Sequence, residues 1–165
     1  MKIELVVFDI AGTTVIDQGE IALSFQSALL DFGYHVPVSS INPLMGYKKT
    51  EAISQILHEI EKDKELITTS LILEIHHQFQ EIMMEFYATT PSLQATPFAE
   101  EIFAYLHSKK IKVALDTGFS KEITSIIIDR LVRIKDQKID SYICSKEVSK
   151  AMNYPYVIVN WIEQL

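Results

Sequence analysis

Ile3 to Phe8 is a short, largely apolar run rich in β-branched residues, and it ends at Asp9 before passing straight into Ile10-Ala11-Gly12-Thr13-Thr14. A run of this length and character is the pattern of a strand buried on both faces, and the Ala-Gly-Thr-Thr that follows signals a tight loop. Strands of that kind belong to parallel sheets covered by helices, so the opening residues already direct the chain toward an α/β fold.

The rest of the sequence alternates accordingly. Residues 19 to 32 place Ile21, Phe25, Ala28, Leu29 and Phe32 on one helical stripe that stops at Gly33. A second helix is predicted over Thr50 to Ile60, and a long third from about Ile67 to Tyr87 before Thr90-Pro91-Ser92 breaks the pattern. Thr96 as N-cap, Pro97 at the first helical position and Glu100-Glu101 in the first turn predict a helix through His107. Ile111 to Leu115 reads as the next strand, Asp116-Thr117-Gly118-Phe119-Ser120 as its loop, Lys121 to Val132 as a helix and Tyr142 to Cys144 as a third strand. The expected architecture is a three-layer, Rossmann-like parallel sheet core made of 1–16 and 94–165, carrying an inserted all-helical cap over 17–93.

A length of 165 residues with 48% apolar and 10% aromatic content suits one such packed domain with an insertion. The formal charge of −7 comes without a Lys/Arg cluster able to track a phosphate backbone, so no nucleic-acid partner is expected. No stretch reaches membrane-spanning length, and Glu4 and Asp9 cut the opening run too short for a signal sequence. Cys144 is the sole cysteine, which rules out an intrachain disulfide and fits a cytoplasmic location.

In a parallel sheet the loops at the carboxyl ends of neighbouring strands converge, so Asp9 to Thr14 and Asp116 to Ser120 are expected to face one crevice. An aspartate there can attack phosphorus, while Gly12, Gly118 and the hydroxyls of Thr13 and Thr117 offer backbone approach and donors to phosphoryl oxygens. A divalent cation would offset the charge of carboxylate meeting phosphate. His76-His77 beside Glu74 and Glu81 has a metal-like composition, but adjacent helical residues point about 100° apart, and a solvated face is expected. Met45, Met83, Met84 and Met152 read as core filling, and Ser120 with His107 and Asp116 lacks nucleophile-elbow spacing.

Asp9-x-Ala11-Gly12-Thr13-Thr14, the loop Met45-Gly46-Tyr47-Lys48-Lys49, and Leu115-Asp116-Thr117-Gly118-Phe119, in that order, resemble the phosphonatase-like branch of the haloacid dehalogenase superfamily. The resemblance implies a hydrolase of a small phosphonate or phosphate ester, with Asp9 as nucleophile and an aspartyl-phosphate intermediate. It also implies Gly12, Thr13, Gly46, Thr117 and Gly118 around the phosphoryl group, and Mg2+ as cofactor. Most phosphatases of that superfamily carry a second Asp two residues after the nucleophile as general acid; here the position is Ala11, whose methyl cannot donate a proton. In the resembled hydrolases a cap lysine forms a Schiff base that lets a carbon–phosphorus bond break, and Lys49 aligns with it. Read without the resemblance, Lys49 is equally a solvated lysine at a helix start or a phosphate clamp.

Two departures set further expectations. Where the resembled family places an arginine after the third strand, this chain has Met152, leaving Lys150, or less directly Lys146, as the substitute cation. The family also continues into a fourth strand with acidic metal ligands, whereas this sequence runs to Leu165, so a truncated core is expected. Magnesium would then rest on Asp9, the Ala11 carbonyl, Asp116 and water. The first strand would become an edge, favouring a homo-oligomer over Ile3 to Phe8. The competing reading of these departures is an impaired relative that serves as a binding module or has no function.

Overall fold

In a computed structural model, which describes residues 2–135 and 139–144, the apolar runs pair as parallel strands: β1 (Leu5–Asp9), β2 (Lys112–Thr117) and β3 (Ser141–Cys144), in the order β1-β2-β3. The α/β class with a parallel sheet is as the sequence predicts. The register aligns Asp9 with Asp116 and Thr117 with Cys144. Strand β2 therefore runs two residues further than Ile111 to Leu115 suggested, and Asp116 and Thr117 are strand residues rather than loop. Asp116 is recruited by pairing with both neighbours and Thr117 by pairing with β3.

Burial separates the strands. In the central β2, Val113, Ala114, Leu115 and Thr117 are buried, whereas no residue of β1 is, and Val7 is 39% exposed. The expectation of a first strand buried on both faces is thus corrected: among the described residues β1 pairs with β2 alone. The strand is apolar enough for an interior position but occupies an edge of the described sheet.

The chain divides into two compact units, Gly19–Phe86 on one hand and Met1–Gln18 with Tyr87–Leu165 on the other. The first is helical: α1 (Glu20–Asp31), the short α2 (Val38–Ile41), α3 (Lys49–Ile60) and most of α4 (Thr69–Thr89). Its interior holds Phe25, Leu29, Ile53, Ile56, Ile75 and Met83, with Phe25 and Phe79 packed edge to face at 5.4 Å. Each such side chain contributes roughly 1.5–3 kcal/mol through loss of apolar surface to water. Gly33 ends α1 as its position predicts: at φ +84° it turns the chain so that Tyr34 N–H reaches the Leu29 carbonyl at 3.0 Å.

In the other unit α5 (Ala99–Ser108) and α6 (Lys121–Lys135) flank the strands. Helix α5 begins later than Thr96-Pro97 suggested. Ala95 bridges to Val15, and Thr96 N–H is bonded to the Thr14 carbonyl at 2.9 Å, which holds this segment extended. The helix starts only after Phe98, at φ 68°, with Thr96 accepting from Ala99 N–H. No described helix is long and apolar enough to cross a membrane.

Candidate active site

Asp9 is the last residue of β1, and the chain after it winds around one carbonyl. The Ile10 oxygen accepts the N–H groups of Thr13 (3.3 Å), Thr14 (3.0 Å) and Val15 (2.8 Å), while Gly12 N–H donates to Val15 at 2.7 Å. Gly12 sits at φ +75°, a left-handed conformation that costs a residue with a side chain. The buried Thr14 hydroxyl donates to the Asp9 carbonyl at 3.0 Å, and Ile16 N–H bonds Gln94 at 3.0 Å. The loop is rigid by construction, with Gly12 and Thr13 left exposed.

The matching end of β2 is built differently. Thr117 is buried and its hydroxyl accepts Phe119 N–H at 3.2 Å. Gly118 is exposed. Ser120, which the sequence discounted as a nucleophile, caps α6: its carbonyl accepts Thr124 N–H at 3.0 Å and the Thr124 hydroxyl at 2.8 Å. Residues 117–120 thus lead into a helix N-terminus, where amide donors and the helix dipole favour an anion.

Electrostatics concentrate on two carboxylates. Burial pushes the Asp9 carboxyl up, opposed by hydrogen bonds from the Ile10 amide and the Thr13 hydroxyl. Asp116, its register partner on β2, is pushed up to about 6 by burial and then by the charge of Asp9, against a hydrogen bond from the Thr117 amide. The Asp116 Oδ1 atom is buried without a hydrogen-bond partner. An acid whose ionisation is opposed by burial and by the carboxylate in register with it makes a site suited to a cation.

The remaining predicted residues fall elsewhere. Lys49 opens α3 in the helical unit; its ammonium donates to the Met45 carbonyl at 2.7 Å, and burial lowers its pKa to about 8. Gly46 lies exposed in the preceding loop. Lys146, Lys150 and Met152 lie outside the described residues. His77 makes an exposed 3.9 Å contact with Glu81 and Glu74 accepts from Ser70, in keeping with a solvated face, and no group of three or more His, Cys, Asp or Glu able to hold a metal occurs among the described residues. Arg130 carries no signal in the sequence pattern, yet its guanidinium donates to the Tyr87 carbonyl at 2.6 Å and to that of Thr90 at 2.8 Å.

No family model matches the chain. Among curated proteins it is 27% identical over 164 residues to a phosphonoacetaldehyde hydrolase from Hahella chejuensis, covering 94% of this chain and 54% of that one. Among solved structures it is similar to a phosphonoacetaldehyde hydrolase-like protein from Oleispira antarctica, at TM-score 0.80 and 21% identity over 96% of this chain and 59% of the other. A structure described as a haloacid dehalogenase-like hydrolase, from Bacteroides fragilis, gives TM-score 0.71 at 19% identity over 99% of this chain and 73% of that one. These solved structures share the fold of this chain, that of haloacid dehalogenase-like hydrolases. Its curated relatives are phosphonoacetaldehyde hydrolases, of whose length it spans 49–61%.

Proposed function

We propose that this chain is a haloacid dehalogenase-type hydrolase of a small phosphonate or phosphate ester, with Asp9 as nucleophile. One observation carries the reading: Asp9 ends β1 beside a glycine loop and in register with the Asp116-Thr117-Gly118 strand end. An Asp9 oxygen attacks phosphorus, the bond from phosphorus to the leaving group breaks with its electron pair leaving on that group, and water then hydrolyses the aspartyl phosphate. The Thr117 hydroxyl and the Gly118 amide donate to the phosphoryl oxygens, Gly12 and Thr13 leave their exposed loop open to close approach, and Gly46, in the helical segment 17–93, is a further phosphoryl-binding residue beside those of the core 1–16 and 94–165. Lys150 supplies the positive charge that holds nucleophile and phosphoryl group together.

For an aldehyde-bearing phosphonate, Lys49 supplies the missing activation. Its neutral amine adds to the carbonyl and water is lost, giving a protonated imine; as phosphorus passes to Asp9, the carbon–phosphorus electron pair moves into that imine and yields an enamine. Protonation and hydrolysis of the enamine free the aldehyde product and Lys49. The lowered pKa of Lys49 supports this role, because a larger share of amine is then available near neutral pH. The residues present also fit a hard divalent cation: Asp9 and the Ala11 carbonyl would hold Mg2+, which would offset the negative charge of the phosphoryl group. The unsatisfied Asp116 oxygen beside Asp9 is the local sign of a missing positive charge.

Release of phosphate from a panel of small phosphonates and phosphate esters with Mg2+ tests the reading. Turnover lost in Asp9→Asn, together with borohydride trapping of an imine lost in Lys49→Ala, is expected; absence of turnover across the panel would refute it. The edge position that β1 holds among the described residues further favours a homo-oligomer built on Leu5–Asp9, and light scattering reporting a monomer would exclude that assembly.

A further inference from the structure

A threonine hydroxyl serves as a donor to a reacting group only if the side chain is held in one place. Thr117 is buried, and its hydroxyl oxygen accepts the Phe119 N–H at 3.2 Å, which leaves the hydroxyl proton to donate elsewhere. Hydroxyl-capped turns of this kind hold only weakly by themselves. The placing of Phe119 therefore decides how firmly Thr117 is held.

Phe119 is fixed from two sides. On one, the chain runs directly into α6, where the Thr124 amide and hydroxyl both donate to the Ser120 carbonyl. On the other, the Phe119 ring meets the ring of Tyr87 edge to face, with centroids 5.6 Å apart and both side chains buried. Such pairs have a preferred geometry, so Tyr87 constrains the orientation of Phe119 as well as its burial. Tyr87 is anchored in turn. It lies in the last turn of α4, where backbone carbonyls lack partners within the helix. Arg130, on α6, donates to the Tyr87 carbonyl at 2.6 Å and, through its other terminal nitrogen, to that of Thr90 at 2.8 Å. A planar fork of donors fixes both carbonyls against α6.

The contacts close on themselves: Thr117 to Phe119, Phe119 to Tyr87, Tyr87 to Arg130, and along α6 back to the turn, all within the sheet-bearing unit. Core filling would account for the Tyr87 ring and helix capping for Arg130; what joins them is that both bear on the turn that carries Thr117. We infer that Tyr87 is a positioning residue for the phosphoryl group: its ring, anchored through Arg130, fixes Phe119 and thereby aims the Thr117 hydroxyl at the phosphoryl oxygens. This rests on the proposed hydrolase reading, in which that hydroxyl donates to them, and adds two residues that act only through Thr117.

A double-mutant cycle on the full chain tests the assignment. Tyr87→Leu keeps an apolar side chain but loses the ring, and on a phosphonate or phosphate ester that wild type turns over, kcat/KM is expected to fall about tenfold. Tyr87→Phe, which keeps the ring, should recover most of that loss. The same Tyr87→Leu change made in Thr117→Val, where no hydroxyl remains to be aimed, should alter kcat/KM by less than about twofold. Hydrogen exchange at the Phe119 amide, read by NMR without substrate, should rise in Tyr87→Leu and in Arg130→Ala. Phe119→Leu repeats the cycle from the other ring, and circular dichroism verifies that each variant is folded. An equal fall in both backgrounds would mean general damage and overturn the inference, as would a Tyr87→Leu variant with kcat/KM and Phe119 exchange like those of wild type. Either result leaves the hydrolase reading standing, whereas absence of turnover by folded wild type would overturn both.

Discussion

Replacing Asp116 by Asn in the metal-free protein is expected to stabilise it. The Asp116 carboxyl is raised from its ordinary 3.8 to about 6, first by burial and then by Asp9. A raised acid binds its proton more tightly in the folded state, so its contribution to stability is full below pH 3.8 and is lost as pH rises through about 6. Taken at face value the span from 3.8 to about 6 corresponds to about 3 kcal/mol. Asp116 is only half-buried, and solvent screening reduces this to roughly 1–1.5 kcal/mol. For a chain of this size that amounts to about 3–5 °C in Tm. The assay is denaturant unfolding of EDTA-treated wild type and Asp116→Asn across the acid range, read as variant minus wild type so that other carboxylates cancel. The advantage of the variant should be small near pH 4, grow up to about pH 6.5 and then level off. Added Mg2+ should reverse the trend by stabilising wild type more than the variant. A difference independent of pH, or a variant less stable than wild type at neutral pH without metal, would refute the reasoning.

Other outcomes follow from the same geometry. Imine trapping at Lys49 should rise with pH through a midpoint near 8, because the amine must be neutral to attack; a midpoint near 10.5 would refute the lowered pKa. Arg130→Ala removes two charge-assisted bonds to the Tyr87 and Thr90 carbonyls, costing about 1–2 kcal/mol and raising hydrogen exchange over 87–92; unchanged exchange there would count against the clamp. Gly12→Ala places a side chain at φ +75° and should destabilise by about 1 kcal/mol in urea melts, even though the space around it is open.

How far the sequence disclosed the site depended on whether the relevant physics was local. The strand-loop at Ile3 to Thr14, the α1 stop at Gly33 and the order of elements were all readable, because apolar period and glycine placement act over a few residues. The start of α5 was misread for the complementary reason: Thr96-Pro97 is a sound local start, but the Val15–Ala95 bridge, between residues distant in sequence, holds the segment extended. Asp116 showed the same limit. As part of a loop it would be a solvated turn residue, and only the register that sets it opposite Asp9 makes it a strained acid. Arg130 carried no signal, since a cation on an amphipathic helix reads as surface until its carbonyl partners are known.

On the proposed reading, Ala11 governs which substrates suit Asp9 as nucleophile, and its replacement provides the sharpest test of that proposal. Cleavage of an alkyl phosphate ester expels an alkoxide, a poor leaving group unless a nearby acid protonates it. The methyl of Ala11 cannot, so on this site only leaving groups stabilised in another way should depart quickly. An imine-activated carbon is such a group: with Lys49 near 8, roughly a quarter of it is free amine at about pH 7.5, against about one part in a thousand for a lysine at 10.5. Ala11→Asp restores a carboxyl two residues after the nucleophile, on a loop whose bonds to the Ile10 carbonyl do not involve the Ala11 side chain. For simple alkyl phosphates kcat/KM should then rise by about a hundredfold, while an aldehyde-bearing phosphonate gains little because its leaving group needs no proton from that position. Equal gains for both substrate types, or none for the esters in a folded variant, would mean that the identity of residue 11 does not govern the chemistry performed at Asp9.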